Sequence, residues 1–205
     1  MKQLKIAYFN QLGRKELDQA KAKFEQKNPD VEVKLIGTGY DDAFEKLADG
    51  EADLVIADER DEKKVFEKEN LAQVGVMAVL PKGSYQNRIQ MVDKSDLSDM
   101  TCFIVAKPEE EVAELHLLKD LYQVNSPFIA SNSVEEAALL VASGSGYFLI
   151  NEIAADLLKN DSLQKLFLTD NGVPMRQTIV AFYAEKNPTI AKFNEILKKI
   201  LILAS

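Results

Sequence analysis

Alternating strands and helices are predicted along the first part of the chain. Residues 5–9 form an apolar run typical of a strand, and residues 13–27 repeat apolar positions at helical spacing up to Asn28-Pro29. Residues 31–35 alternate as a strand does, and Gly37-Thr38-Gly39 leads into a helix that ends at Asp49. With a further strand at residues 54–57, the order β-α-β-α-β predicts a parallel sheet with right-handed crossovers.

The stretch GEADLVIADER, residues 50–60, contains the third strand. Gly50 follows an apolar helical pattern, so we expect it just past the helix end, where glycine takes a left-handed conformation at little cost. Residues 54–57 are continuously apolar, which is typical of a parallel strand covered on both faces. Asp58, Glu59 and Arg60 then leave the strand at its carboxyl end, where open α/β sheets bind ligands.

A second α/β series follows a polar, irregular stretch at residues 84–100. Two long apolar strands, at 72–80 and 177–184, join the two halves, and Asn187-Pro188 opens a final helix. The pattern therefore predicts two lobes with a central cleft: residues 1–80 plus 178–205 form lobe I, and residues 81–177 form lobe II. The predicted elements of lobe II are strands at 102–106, 128–130 and 147–150, helices at 109–122, 133–143 and from 151 through Leu158, and a strand or short helix at 163–168.

Composition narrows the function classes. The chain has 205 residues and a formal charge of −8, and such a surface repels phosphate backbones on average. One cysteine excludes an internal disulfide. We find no secretory signal and no apolar run of the roughly 18 residues that a membrane span needs. A cytoplasmic protein without a membrane partner is expected.

The sequence contains few residues or motifs that are typical of catalytic or metal-binding sites. His116 is the only histidine and lies between two leucines, so a structural or solvent-facing role is favoured over that of a general base. Cys102 begins an apolar strand, which favours a buried, inert thiol. The spacings of common metal sites are missing, and neither Gly37-Thr38-Gly39 nor Gly144-Ser145-Gly146 extends to a nucleotide-binding motif. We predict that the chain is not an enzyme and carries no cofactor.

Polar residues that could bind a ligand are better represented. Asn10-Gln11-Leu12-Gly13 lies between the first strand and its helix, and Ser131-Asn132-Ser133 precedes a helix of lobe II. Each is interpreted as a polar helix cap, and backbone N–H groups at a helix N-terminus favour an anion. Arg60 could bind a carboxylate, or could form a surface ion pair with Asp58 or Glu59.

Five segments, in order, resemble the effector-binding domain of LysR-type transcriptional regulators. They are LKIAYFN, FEQKNPDVEVKLIGTG, LADGEADLVIAD, VGVMAVLPKG and SPFIASNSVEEAALLVASGSGYFLI. The resemblance covers essentially the whole chain, and GEADLVIAD is its most specific part.

This resemblance implies a periplasmic-binding-protein-like (type II) fold of two Rossmann-like lobes, with a small-molecule effector in the central cleft. It also implies a homodimer or tetramer that binds DNA through an N-terminal winged helix-turn-helix domain, which is absent from this chain. Carried over by position, the effector contacts of that family fall on Asn10, Gln11, Thr38, Gly39, Ser131, Asn132 and Tyr147. Arg60 is added because it follows the carboxyl end of the third strand, where open α/β sheets bind ligands.

The resulting hypothesis is an effector-sensing regulatory domain that binds a small anionic metabolite and modulates DNA binding by a domain outside the chain. The alternative is a solute-binding protein of a transport system, which would share the lobes and is usually monomeric. An enzyme on the same scaffold is a weaker third reading, because no acid–base pair can be named.

Overall fold

The computed structural model describes residues 2–61 and 63–204, so Glu62 and the predicted outer limits of lobe I, residues 1 and 205, lie outside the described residues. The chain divides into two compact units: unit 1 comprises Met1–Val74 with Gln177–Ser205, and unit 2 comprises Gly75–Arg176. The predicted lobes divided the chain after residue 80 and after residue 177.

Unit 1 is an α/β layer built on a sheet with the strand order β2-β1-β3-β11. Strand β1 is parallel to both β2 and β3, and β11 is antiparallel to β3. The parallel β-α-β-α-β arrangement predicted for the first part of the chain is therefore confirmed. The elements are β1 (Lys2–Phe9), a 3-10 helix (Asn10–Leu12), α1 (Arg14–Lys27), β2 (Val31–Thr38), α2 (Tyr40–Ala48), β3 (Leu54–Asp58), the first part of β4 (Glu67–Pro81), the last part of β11 (Arg176–Tyr183) and α6 (Pro188–Ala204).

An aspartate, Asp53, directly precedes the buried strand β3 and pairs with β1. All five residues of β3 are buried, as expected for a parallel strand covered on both faces. Asp53, the residue before it, accepts a hydrogen bond from the Lys5 backbone N–H (2.8 Å to Oδ2) and donates its own N–H to the Lys5 carbonyl (2.8 Å). The aspartate side chain thus extends the ladder between β3 and β1 by one further bond.

Helices α1 and α6 pack against each other on this sheet. The Phe24 and Phe193 rings meet edge to face with centroids 5.6 Å apart, and both residues are fully buried. Such a pair contributes about 0.5–1.5 kcal/mol beyond the area that it buries.

Unit 2 has a second sheet with the strand order β4-β8-β6-β7, and β9 pairs with β4, β5 and β10. Strand β6 is parallel to β7 and β8, whereas β8 and β9 are antiparallel to β4. Its elements are the rest of β4, β5 (Met91–Asp93), a 3-10 helix (Lys94–Leu97), β6 (Cys102–Val105), α3 (Glu111–Leu115), a π-helix (His116–Leu121), β7 (Phe128–Ser131), α4 (Val134–Ala142), β8 (Tyr147–Asn151), α5 (Glu152–Ala155), β9 (Leu163–Asp170), β10 (Val173–Pro174) and the start of β11.

Three predicted elements of unit 2 differ in the structure. The helix expected at 109–122 begins at Glu111 and widens into a π-helix from His116 onward. The helix expected through Leu158 ends at Ala155. The stretch at 84–100, expected to be irregular, contains β5, a short strand parallel to β9. The segment 163–168, left open between strand and helix, belongs to β9.

The core of unit 2 lies on both faces of its sheet. Val76, Ala78 and Leu80 of β4 pack on one face, whereas Val79 packs with Phe148 on the other. This alternation follows the period of two along a strand. Within residues 2–61 and 63–204, no helix is long and apolar enough to cross a membrane.

Candidate functional site

The first two strands bring three of the predicted contact residues together in unit 1. Because β1 and β2 are parallel with Phe9 opposite Thr38, the chain leaves both strands at the same edge of the sheet. Asn10 is exposed, and a Cβ added to Gly37 would overlap its Oδ1 atom. The Asn10 side chain therefore lies against the backbone of β2, next to Thr38 and Gly39.

The helix starts at this edge are capped differently from the prediction. Asn10 and Gln11 lie in the 3-10 helix and do not cap α1, whose N-cap is Gly13. That part of the prediction is wrong, because the extra helical turn moves the polar pair away from the cap position. Gly39 is the N-cap of α2, and among the described residues neither α1 nor α2 has a side-chain cap hydrogen bond. Both helices thus present backbone N–H groups that no side-chain cap engages.

Thr38 and Arg14 complete the polar surroundings. Thr38 is buried and its hydroxyl donates to the Gly39 carbonyl (2.8 Å). Arg14, the first residue of α1, has an exposed guanidinium whose Nε donates to Asp18 (3.2 Å). Nearby Tyr8, followed by Asp18, raises the pKa of Arg14 above its usual value, so the guanidinium carries a positive charge at neutral pH. The sequence prediction missed Arg14, although a cation directly after the strand-to-helix connection was a usable signal.

Arg60 is an interior residue of unit 1. Its side chain is 1% exposed, and Nε and Nη2 donate to the two carboxylate oxygens of Asp58, at 2.8 and 3.3 Å. The guanidinium carbon lies 4.1 Å from the ring centroid of Tyr40 and 4.8 Å from that of Phe9. The sequence left open whether Arg60 binds a ligand carboxylate or forms a surface ion pair with Asp58 or Glu59. The ion pair with Asp58 is present, but it is buried and does not lie on the surface.

The Tyr40 hydroxyl is affected by the same cluster. Burial, followed by the Asp58 charge, raises the pKa of Tyr40 well above its usual value. The Arg60 guanidinium therefore packs on the neutral phenol of Tyr40.

In unit 2, the start of α4 is already occupied by a carboxylate. Ser133 is the N-cap and accepts from the Glu136 N–H (3.1 Å), which confirms the predicted cap. Glu136 Oε2 in turn accepts from the Asn132 N–H (2.8 Å) and from Asn132 Nδ2 (3.1 Å). These bonds hold the pKa of Glu136 below its usual value, so the group is ionised at neutral pH. Ser131 is buried, and its hydroxyl donates to the Ser133 carbonyl (3.3 Å).

Glu136 was also missed by the sequence prediction. The Ser133-x-x-Glu136 spacing is that of a capping box, which could have revealed it.

Tyr147 is part of the core of unit 2. It is 1% exposed, packs in the cluster that contains Cys102, and its hydroxyl shares a 2.8 Å hydrogen bond with Ser126. Burial raises the pKa of Tyr147 well above its usual value. Burial also raises the pKa of the Cys102 thiol, to about 12. Cys102 is fully buried, as the sequence predicts.

His116 and other possible metal ligands lie in the described part of the chain. His116 shares a 2.9 Å contact with Asp120, four residues along the same helical segment. Residues 2–61 and 63–204 contain no group of three or more histidine, cysteine or acidic side chains that could hold a metal ion. Polar groups do converge at the ends of β1 and β2.

Comparison with known proteins identifies the family. Residues 1–201 match the model of the LysR substrate binding domain. A search of curated protein sequences finds no match.

Solved structures share the fold at low sequence identity. The effector-binding domain of a BenM variant superposes with a TM-score of 0.82 at 17% identity, covering 99% of this chain and 96% of that one. The BenM domain described with its effector benzoate has a TM-score of 0.78 at 17% identity, covering 98% and 93%. The reduced regulatory domain of OxyR2 from Vibrio vulnificus also has a TM-score of 0.78, at 19% identity, covering 97% and 95%. The periplasmic-binding-protein-like α/β fold class is thereby confirmed. With the family model matching nearly the whole chain, the chain belongs to the family of LysR substrate-binding domains, the effector-binding domains of LysR-type transcriptional regulators.

Proposed function

We propose that this chain is an effector-sensing domain that binds a small anionic metabolite in the predicted cleft and modulates DNA binding by a domain outside the chain. LysR-type regulators bind small-molecule effectors through this family of domains. A neighbour of the same fold, BenM, is described with benzoate, a carboxylate, as its effector.

The observation that carries the anionic assignment lies in unit 1. Two neighbouring parallel strands deliver two helix N-termini, those of α1 and α2, to one edge of the sheet, and no side chain among the described residues caps either. Helix N-termini favour negative charge, by about 0.3–1 kcal/mol each at the surface. Asn10 adds an amide, and Arg14 adds a guanidinium that can bind a carboxylate with two hydrogen bonds.

The remaining predicted residues enter the proposal with distinct roles. Gln11, Thr38 and Gly39 belong to the same edge as Asn10 and are proposed contacts. Ser131 and Asn132 are proposed contacts for the part of the effector that donates hydrogen bonds, because the Glu136 carboxylate beside them is an acceptor. Arg60 and Tyr147 are proposed to hold the site from the core, since each is almost fully buried.

A thermal-shift screen against small carboxylates, amino acids and sugar phosphates tests this function. Ligand at 100 times its dissociation constant stabilises the domain by about 2.7 kcal/mol. A carboxylate or phosphate that raises the melting temperature of the wild type, and does so much less in Asn10→Ala and Arg14→Ala, supports the proposal. Asn70→Ala, an exposed asparagine on β4 of unit 1, is the matched control and keeps the response. No stabilising ligand in the panel, or equal responses in all variants, contradicts it.

The proposal includes a homodimer or tetramer as the assembled state, as expected for a LysR-type regulator. Light scattering across a concentration series measures this directly. A domain that stays monomeric with and without ligand would favour the solute-binding alternative.

A further inference from the structure

Unit 1 contains a small cavity beneath the first turn of α1. Most of its wall is apolar and comes from the 3-10 helix, α1, β3, β11 and α6. The lining side chains are those of Leu12, Leu17, Ile56, Ile179, Leu197 and Leu201. The cavity measures about 10 Å³, close to the volume that one water molecule requires.

One polar side chain, Glu16, also lines this cavity. The residue is 6% exposed, and its Oε2 atom is buried without a hydrogen-bond partner among the described residues. A buried carboxylate oxygen without a partner is costly, and native structures rarely leave one so. Its place in the first turn of α1 favours the negative charge but supplies no donor.

We propose that this cavity is a binding site for one hydrogen-bond donor of the size of a water molecule, held by Glu16. A carboxylate oxygen accepts hydrogen bonds, so an occupant that donates one would satisfy Oε2. The small volume favours an occupant of about the size of one water molecule, and the carboxylate repels anions from this cavity. Water and the ammonium ion both meet these requirements. None of the side chains proposed to contact the effector lines this cavity, but Gly13, the N-cap of α1, does.

A crystal structure of the wild-type domain grown in ammonium chloride tests occupancy. A solvent peak within hydrogen-bonding distance of Glu16 Oε2 is expected, and the same peak is absent from Glu16→Leu. An empty cavity in the wild type overturns the proposal, whatever the melting temperatures show.

Melting temperatures distinguish the two occupants. If ammonium binds, the wild type melts higher in ammonium chloride than in sodium chloride of equal ionic strength, by about 2 °C or more. Glu16→Leu loses this difference, and Glu45→Leu, an exposed glutamate of α2, keeps it as the matched control. If water is the occupant, the solvent peak is present and the two salts give equal melting temperatures for every variant.

Discussion

The Arg60 guanidinium binds the Asp58 carboxylate inside unit 1, with Nε 2.8 Å from Oδ2 and side chains that are 1% and 0% exposed. Removing one partner leaves a buried charge without compensation. We therefore expect Arg60→Ala to lower the free energy of unfolding by about 3–5 kcal/mol, measured by urea denaturation.

The surface pair Glu195–Lys199 provides the control for that measurement. Both side chains are about 70% exposed, so Glu195→Ala should change the free energy of unfolding by less than about 1 kcal/mol. A second variant, Asp58→Leu with Arg60→Met, removes both charges and should recover part of the stability lost in Arg60→Ala. If Arg60→Ala costs no more than Glu195→Ala, the structural role assigned to Arg60 is incorrect.

Glu136 should weaken anion binding at the start of α4. Its carboxylate accepts hydrogen bonds from the Asn132 backbone and side-chain N–H groups, the donors that an anionic ligand would need. Glu136→Gln keeps an acceptor but removes the charge, so we expect sulfate or small carboxylates to shift the amide resonances of residues 131–133 more in the variant than in the wild type. Glu135→Gln, the exposed neighbour, is the control. A wild type that already responds as strongly as Glu136→Gln would contradict this assignment.

Asp93 should make unit 2 sensitive to acid. Its carboxylate accepts from Gly172 N–H (3.0 Å), Ser95 N–H (3.1 Å), Ser95 Oγ (2.8 Å) and Thr169 Oγ1 (3.0 Å). These bonds, the one from Gly172 foremost, hold its pKa far below the usual 3.8.

The sign of the pH effect follows from that lowered pKa. Because the folded state binds the proton more weakly than the unfolded state, this stabilisation is fully present above about pH 4 and is lost as the pH falls further. Asp93→Asn should therefore reduce stability at pH 7 and flatten its decline between pH 4 and pH 2, measured by urea midpoints. Asp161→Asn, an exposed loop aspartate, should follow the wild-type curve. An unchanged decline in Asp93→Asn would refute the role of this carboxylate.

Both the backbone conformation and a close contact with the Thr101 backbone require glycine at position 146. It has a φ of +127°, and an added Cβ would overlap the Thr101 carbonyl oxygen, to which the neighbouring Tyr147 N–H donates (2.9 Å). Gly146→Ala should thus destabilise unit 2 and disturb the pairing of β6 with β8. Gly144→Ala, with a φ of +91° and open space around it, should cost only about 1–2 kcal/mol. Equal losses in the two variants would show that the close approach is unimportant.

Hydrophobic periodicity was sufficient for most of the fold. Strand β3 and helices α1 and α6 carry continuous or 3.6-residue apolar patterns, and each was predicted near its observed position. The π-helix at His116–Leu121 was missed because its apolar residues also satisfy an α-helical pattern. Strand β5 was missed because it is only three residues long and one of its two apolar residues, Met91, is exposed.

The site was harder to predict than the fold. The position of Asn10 beside β2 follows from parallel pairing, which the sequence pattern indicates. The inward orientation of Arg60 depends on Tyr40 and Phe9, which approach it only through tertiary packing. Tyr147 is similar, because the burial of its ring depends on the partners that surround β8 in the core.

We propose that an anionic effector binds the uncapped starts of α1 and α2, and amide chemical shifts can locate such a ligand residue by residue. The domain, labelled with nitrogen-15, is titrated with the strongest carboxylate or phosphate from the thermal-shift screen. We expect the largest shifts at residues 10–15 and 38–41, and an affinity that falls at least about tenfold in Arg14→Ala, the loss of about 1.4 kcal/mol. Shifts confined to other residues, with an unchanged affinity in Arg14→Ala, would show that the effector does not bind at these helix starts.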